Sequence, residues 1–115
     1  MAEFRLNHIK ACVFDAYGTL FDVDAAARHE QENLGANWKV ISDTWRLKQL
    51  QYTWLRSLQG NYASFWTITE DALDFALASA DMNDNALKQR LMDLYLKLTA
   101  YSEVPETLKK LKAAG

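Results

Sequence analysis

A short apolar run that ends on an acidic residue constrains this chain more than any other feature. Residues 11–14 are Ala-Cys-Val-Phe and Asp15 follows at once. Gly18-Thr19 begins three residues after Asp15. An uninterrupted apolar run is typical of a strand buried on both faces of a parallel sheet, so we predict a strand over residues 9–14. Open α/β sheets bind ligands where their strands end, which makes Asp15 a candidate functional residue. A turn or capping role for Asp15, without chemistry, also fits this position.

Gly18 adds a second feature to the end of this run. A glycine can turn tightly or adopt a positive φ, so the main-chain N–H groups around it are predicted to point at a bound anion.

Composition excludes several classes of protein. Half of the 115 residues are hydrophobic, so we expect a packed core, and the formal net charge of −2 argues against a nucleic-acid surface. The single cysteine, Cys12, is expected to be a small buried hydrophobic side chain in a reducing compartment. The N-terminus lacks a signal-peptide core, and no apolar run approaches the roughly 18 residues of a membrane span. These features predict a soluble, cytoplasmic protein with neither a nucleic-acid nor a membrane partner.

The rest of the chain has the spacing of helices. We predict helices over residues 25–34 (capped by Asp22 or Asp24 and ended by Gly35), 38–58, 67–79 (with a capping box at 67–70), 85–98 (capped by Asp84) and 105–114 (begun by Pro105). In the longest, a stripe of apolar residues is predicted to be buried: Leu47, Leu50, Trp54 and Leu58, broadened by Trp45, Tyr52 and Leu55. Arg46 lies within that stripe, so its guanidinium needs a partner, and a structural ion pair would supply one.

Two segments resemble a known family. Residues 14–23, FDAYGTLFDV, are similar to the DxxGT motif of the haloacid dehalogenase superfamily in the form found in its L-2-haloacid dehalogenase branch. Residues 45–58, WRLKQLQYTWLRSL, are similar to the WRxKQLEYTWLRSL segment of the same enzymes. The resemblance covers the whole chain but only the N-terminal half of such an enzyme.

The resemblance implies a role for six residues. Asp15 would be the nucleophile, Thr19 and the backbone near Tyr17 would orient the carboxylate or the substrate's acid group, and Arg46 would receive the halide. Leu50 and Phe65 would wall the substrate pocket, although packing alone also explains both. Leu47 departs from the glutamine often found at its position, which affects the expected substrate range.

The fold implied is α/β: a doubly wound, Rossmann-like core with a helical cap inserted after the first strand. Residues 1–20 would form the first strand and the nucleophile loop, 21–101 the cap, and 102–115 a helix that returns to the core. The remaining core strands, with further serine, asparagine, lysine and acidic site residues, would lie outside these 115 residues. The chain alone is therefore expected to be mostly helical and inactive. The unpaired edges of an apolar strand also predict that this chain forms dimers or aggregates. For the enzyme that the resemblance implies, we expect a homodimer.

The reaction implied is hydrolysis of short L-2-haloalkanoic acids to D-2-hydroxyalkanoic acids, with no cofactor and no metal. A carboxylate is ionised at neutral pH and needs no base to act as a nucleophile. Asp15 would displace halide from C2 with inversion, and water would then hydrolyse the resulting ester. The partners would be a small haloacid and a halide ion.

Two alternatives remain open. Magnesium-dependent phosphatases of the superfamily resemble DxDxT, whose second aspartate protonates the leaving alkoxide. Tyr17 stands at that position here, and halide needs no proton to leave, so this difference favours dehalogenation. The other alternative is a non-catalytic helical interaction module.

Overall fold

A computed structural model describes residues 6–115, which form two compact units. One unit is the chain up to Asp22 together with Thr99–Gly115, and the other is Val23–Leu98. The helices are α1 (Ala25–His29), α2 (Gln31–Leu34), α3 (Trp38–Gln59), α4 (Phe65–Ser79), α5 (Asn85–Tyr95) and α6 (Val104–Ala113), with a short 3-10 turn at Gly35–Asn37. No helix within residues 6–115 combines the length and the apolar character needed to cross a membrane.

The helical unit, Val23–Leu98, is built around the pairing of α3 with α4. Gly60 ends α3 in the left-handed conformation (φ +65°), a geometry that glycine adopts without strain. The unit's hydrophobic core draws on every helix from α1 to α5: Ala26, Ala27, Leu34, Ile41, Trp45, Ile68, Ala72, Leu73, Ala76, Leu77, Leu87, Leu91, Met92 and Tyr95. Ala72 and Ala76 lie one turn apart and are fully buried, so small side chains occupy the middle of α4.

The predicted apolar stripe of α3 is wrong at four of its seven positions, while Trp45 is buried as predicted. Trp54 is 60% exposed and Leu58 is 85% exposed, and Leu47 and Leu55 are also exposed. With Trp45, the buried residues of α3 are Ile41, Ser42 and Gln49, which the stripe did not include. Polar side chains on the buried face have hydrogen-bond partners there, so hydrophobic periodicity alone selected the wrong side of the helix.

Helix starts are confirmed in part. The Asp84 carboxylate caps α5 by accepting from the Leu87 N–H at 3.0 Å, as predicted, and Pro105 lies in the first turn of α6. Helix α4 begins two residues before the prediction, because the Ser64 side chain accepts from the Thr67 N–H at 3.2 Å and serves as its cap.

The first predicted helix is interrupted. The chain departs from helical geometry at Glu30, so residues 25–34 form α1 and α2 rather than one element. Asp24 precedes α1 without capping it, since its carboxylate accepts hydrogen bonds from Ser42 and Lys39 of α3. Asp24 therefore makes hydrogen bonds to a distant helix and not to the first turn of α1.

The strand predicted at residues 9–14 is not formed. These residues have no regular secondary structure, Val13 is 97% exposed, and Cys12 is exposed rather than buried. A strand needs a neighbour to pair its backbone groups and to cover its faces, and none of the residues from 6 onward supplies one. In the unit that contains these residues, backbone pairing joins the segment near residue 21 to the segment near residue 100. The Asp22 N–H donates to the Thr99 carbonyl at 2.8 Å, and the Tyr101 N–H donates to the Leu20 carbonyl at 3.1 Å.

A partly buried ion pair, formed by the exposed Arg90 and the buried Glu30, links α5 to the start of the helical unit. The Arg90 guanidinium donates to the Glu30 carboxylate at 3.1 Å, and the Asn33 amide donates to the same group at 2.7 Å. The hydrogen bond from Asn33, reinforced by Arg90, lowers the pKa of Glu30 below its usual range despite the opposing effect of burial.

Glu30 should therefore make stability depend on pH. Its contribution is present above the ordinary glutamate pKa of about 4.3 and is lost as the pH falls through the lower pKa of the folded state. We expect Glu30→Gln to cost about 1–3 kcal/mol at pH 7 and much less at pH 3. Thermal unfolding followed by circular dichroism at both pH values measures this, with the exposed Glu32→Gln as control. An equal loss at both pH values would contradict the assignment.

Candidate functional site

Asp15 lies at the start of a tight turn with its carboxylate exposed. The Thr19 hydroxyl donates to its Oδ2 atom at 3.0 Å, four residues along the chain. Gly18 has a φ of +87°, which only glycine adopts readily, and this bend brings Thr19 back towards Asp15. The turn thus holds one carboxylate oxygen and leaves the carboxylate accessible to a ligand.

Four backbone N–H groups in the region of the predicted anion cradle are bonded within the turn. The N–H groups of Leu20 and Phe21 both donate to the Ala16 carbonyl, at 2.9 and 3.0 Å, and that of Thr19 approaches the same oxygen at 3.3 Å. The Gly18 N–H donates to the Phe21 carbonyl at 2.9 Å. Because these four donors are used inside the turn, they stabilise its shape rather than face an anion.

Arg46 is half-buried on α3, and one of its partners is a neutral side chain. Its Nη1 atom donates to Oε1 of Gln49 at 2.8 Å, one helical turn further on. The predicted need for a partner is thus met in part by an amide oxygen. This bond involves a neutral acceptor, so Gln49 itself adds no negative charge beside the guanidinium.

Sequence reasoning missed Gln49, which is only 1% exposed. Its Nε2 atom donates to the Thr69 hydroxyl at 2.8 Å and to the Tyr95 hydroxyl at 2.9 Å. Trp45, the neighbour of Arg46 in sequence, donates through Nε1 to the Thr69 carbonyl at 2.9 Å. Its ring packs against Tyr95 at a tilt of 46°, with ring centroids 5.2 Å apart. The available signal was the Arg46–Gln49 spacing of three residues, which places two side chains together on a helix.

The remaining predicted residues are distributed over both units. Leu50 lies one turn after Arg46 on α3 and is half-buried, while Phe65 is the exposed first residue of α4. Tyr17 is half-buried in the turn that follows Asp15. Asp15, Tyr17 and Thr19 thus belong to one compact unit; Arg46, Leu50 and Phe65 belong to the other.

Two surface grooves of the helical unit involve none of these residues. One, of about 410 Å³, lies between α3 and α4 and is lined by polar and charged side chains such as Arg56 and Asp71. The other, of about 330 Å³, borders the connection between α4 and α5. Among residues 6–115, no group of three His, Cys, Asp or Glu side chains is arranged to hold a metal ion.

Comparisons with known proteins identify the relatives of the chain. A scan of protein-family models found no match. The chain is 47% identical, over 111 residues, to (S)-2-haloacid dehalogenase 4A of Burkholderia cepacia, a match that covers 96% of the chain and 48% of that protein.

Solved structures lead to the same group. A crystal structure of a dehalogenase superimposes with a TM-score of 0.92 at 46% sequence identity. The match covers 96% of this chain and 50% of the dehalogenase chain. The L-2-haloacid dehalogenase of Xanthobacter autotrophicus, solved with chloropropionic acid covalently bound, superimposes with a TM-score of 0.75 at 37% sequence identity. That match covers 84% of this chain and 40% of the Xanthobacter chain.

The chain thus spans about half the length of the relatives it matches. Over that half it agrees with them in sequence and in fold, and the resemblance inferred from residues 14–23 and 45–58 is confirmed. The chain is similar in sequence and in fold to the (S)-2-haloacid dehalogenases over about half of their length.

Proposed function

We propose that these residues belong to an enzyme that hydrolyses short L-2-haloalkanoic acids to D-2-hydroxyalkanoic acids. The observation that carries the proposal is the exposed Asp15 carboxylate, held by Thr19 at 3.0 Å inside the FDAYGT turn. Support comes from the names of the relatives and from the Xanthobacter enzyme, which was solved with chloropropionic acid covalently bound. A covalent adduct is the intermediate that a carboxylate nucleophile would form.

The proposed reaction has two steps. An Asp15 carboxylate oxygen attacks C2 of the substrate from the side opposite the halogen, the carbon–halogen bond breaks, and halide leaves with the bonding electrons. Arg46 stabilises the negative charge that develops on the halide. Water then attacks the carbonyl carbon of the ester, which releases the 2-hydroxy acid and a proton and restores the Asp15 carboxylate. Thr19 orients that carboxylate in both steps, and Tyr17, Leu50 and Phe65 contact the substrate.

The proposal extends to domain organisation. We assign the unit containing Asp15 to a doubly wound α/β core, with the strand at 9–14 formed once the remaining strands are present, and the helical unit to a cap. The enzyme would be a cytoplasmic homodimer. By full-length enzyme we mean a protein of the relatives' length that contains these residues.

Activity without metal is the first expected result. The full-length enzyme should release chloride from L-2-chloropropionate in the presence of EDTA, because Tyr17 replaces the acid that a phosphatase would need. A chloride assay run beside phosphate release from p-nitrophenyl phosphate measures both reactions. The 115-residue chain is assayed in parallel as a comparison with the full-length enzyme. It should release no chloride over repeated turnovers, because the groups that position the hydrolytic water would lie outside it.

Three outcomes would contradict this proposal in different ways. EDTA-sensitive phosphatase activity without chloride release would support the phosphatase alternative. Absence of both activities would support a helical interaction module. Repeated turnover by the 115-residue chain would show that the proposed site is in the wrong place.

A further inference from the structure

We propose that Gln49 is a positioning residue, which holds the Arg46 guanidinium in the orientation that receives the leaving halide. This inference rests on the dehalogenase function proposed above and adds a residue to its machinery. It follows from a buried hydrogen-bond network within the helical unit that connects Arg46, Gln49, Thr69, Tyr95 and Phe65.

The first argument concerns the orientation of the Gln49 amide. A guanidinium can only donate, so the atom 2.8 Å from Nη1 of Arg46 must be the amide oxygen, and the amide nitrogen must point the other way. There it meets the Thr69 hydroxyl at 2.8 Å and the Tyr95 hydroxyl at 2.9 Å, and both can accept. The Tyr95 hydroxyl also lies 3.2 Å from Oε1. Every hydrogen-bonding group of the Gln49 amide is therefore used, which fixes the position of the oxygen that holds Arg46.

The second argument concerns charge. An arginine on a helix usually pairs with a carboxylate, and a glutamate would fit at this position with the same number of atoms. A carboxylate there would neutralise the guanidinium and compete with an incoming halide. The neutral amide orders Arg46 without reducing its charge, which is the combination that a halide-binding group needs.

The third argument concerns the connection to the pocket. The Thr69 hydroxyl accepts a hydrogen bond from Gln49 and donates one to the Phe65 carbonyl at 2.7 Å, so the same network fixes the first turn of α4. Arg46 and Phe65, both proposed to contact the substrate, are thereby attached to one buried group. Because Gln49 and Thr69 are each at most 1% exposed, water does not loosen these bonds.

The test uses Gln49→Met and Gln49→Asn in the full-length enzyme. Methionine keeps the approximate volume but cannot hold the guanidinium, and asparagine keeps the amide but is one methylene too short to reach it. We expect kcat/KM for L-2-chloropropionate to fall about tenfold or more. The loss for L-2-bromopropionate should be smaller, since bromide is the better leaving group and depends less on a positioned cation. Gln89→Met, on the exposed surface of α5, is the matched control and should leave both values unchanged.

The chloride-to-bromide comparison separates positioning from stability. The quantity compared is the ratio of kcat/KM for L-2-chloropropionate to kcat/KM for L-2-bromopropionate. A change in this ratio for both Gln49 variants, with normal circular dichroism, supports the proposal. If Gln49→Met fails to fold, the result for Gln49→Asn decides. An unchanged ratio in an active, folded variant overturns the role of Gln49 while leaving the proposed function intact. A wild-type enzyme that releases no halide would instead overturn the proposed function itself.

Discussion

Replacing Asp15 with asparagine in the full-length enzyme should lower halide release by at least about 10³-fold. Asparagine has nearly the same shape and can still accept the hydrogen bond from Thr19, which measures 3.0 Å in the wild-type chain. It lacks the negative charge that allows an oxygen to attack carbon, so the ester cannot form. Chloride release from L-2-chloropropionate, measured beside the thermal midpoint of unfolding, provides the test.

The matched control is Asp93→Asn, an equivalent change on the exposed surface of α5. It should keep wild-type kinetics, because its carboxylate interacts with the neighbouring Gln89 and is not part of the proposed site. If Asp15→Asn retained more than about a tenth of the wild-type rate, the carboxylate could not be the nucleophile, and the turn would have a structural role only.

Arg46→Lys should lose about 100-fold in kcat/KM while the enzyme folds normally. Lysine keeps the positive charge but replaces a planar group of several donors with a single flexible ammonium. It could still donate to Gln49, yet it could not hold that bond and present an oriented donor pair to a halide at the same time. Kinetics with L-2-chloropropionate and thermal unfolding should be measured on the same preparations.

The opposite pattern would identify Arg46 as a structural residue. In that case Arg46→Lys would lower the thermal midpoint, and activity per folded molecule would be close to that of the wild type. Arg56→Lys is a suitable control: Arg56 lies on the same helix and approaches Asp71 at 3.8 Å, outside the proposed site. It should leave kcat/KM unchanged.

The residues that sequence analysis located well are those whose environment is local. The turn from Asp15 to Phe21 is closed by hydrogen bonds between residues at most five apart, so its motif contains most of what determines its shape. The long helix, predicted over 38–58, extends from Trp38 to Gln59, and its end depends on the one glycine that follows it. Asp84 capped α5 as predicted because a cap needs only the three residues after it.

The predictions failed where burial or strand formation depends on residues that are distant in sequence. Nothing near Gln49 in sequence indicates that it is buried, because its partners Thr69 and Tyr95 lie 20 and 46 residues away. The exposed Trp54 and the buried Ser42 show the same limit: the side of α3 that is covered depends on where α4 and the start of the unit pack. Similarly, residues 9–14 have the composition of a strand but no neighbour that would make them one.

The sequence by itself determined the long helix α3, the turn that contains Asp15 and Thr19, and the two motifs that identified the relatives. Each depends on residues that are close together along the chain, where hydrogen bonds form without a large loss of chain entropy. Only the tertiary structure decided which face of α3 is buried and that Arg46 is held by a neutral glutamine anchored on two other helices. Those contacts join segments far apart in sequence, so their free energy depends on the packing of the whole helical unit rather than on any local pattern.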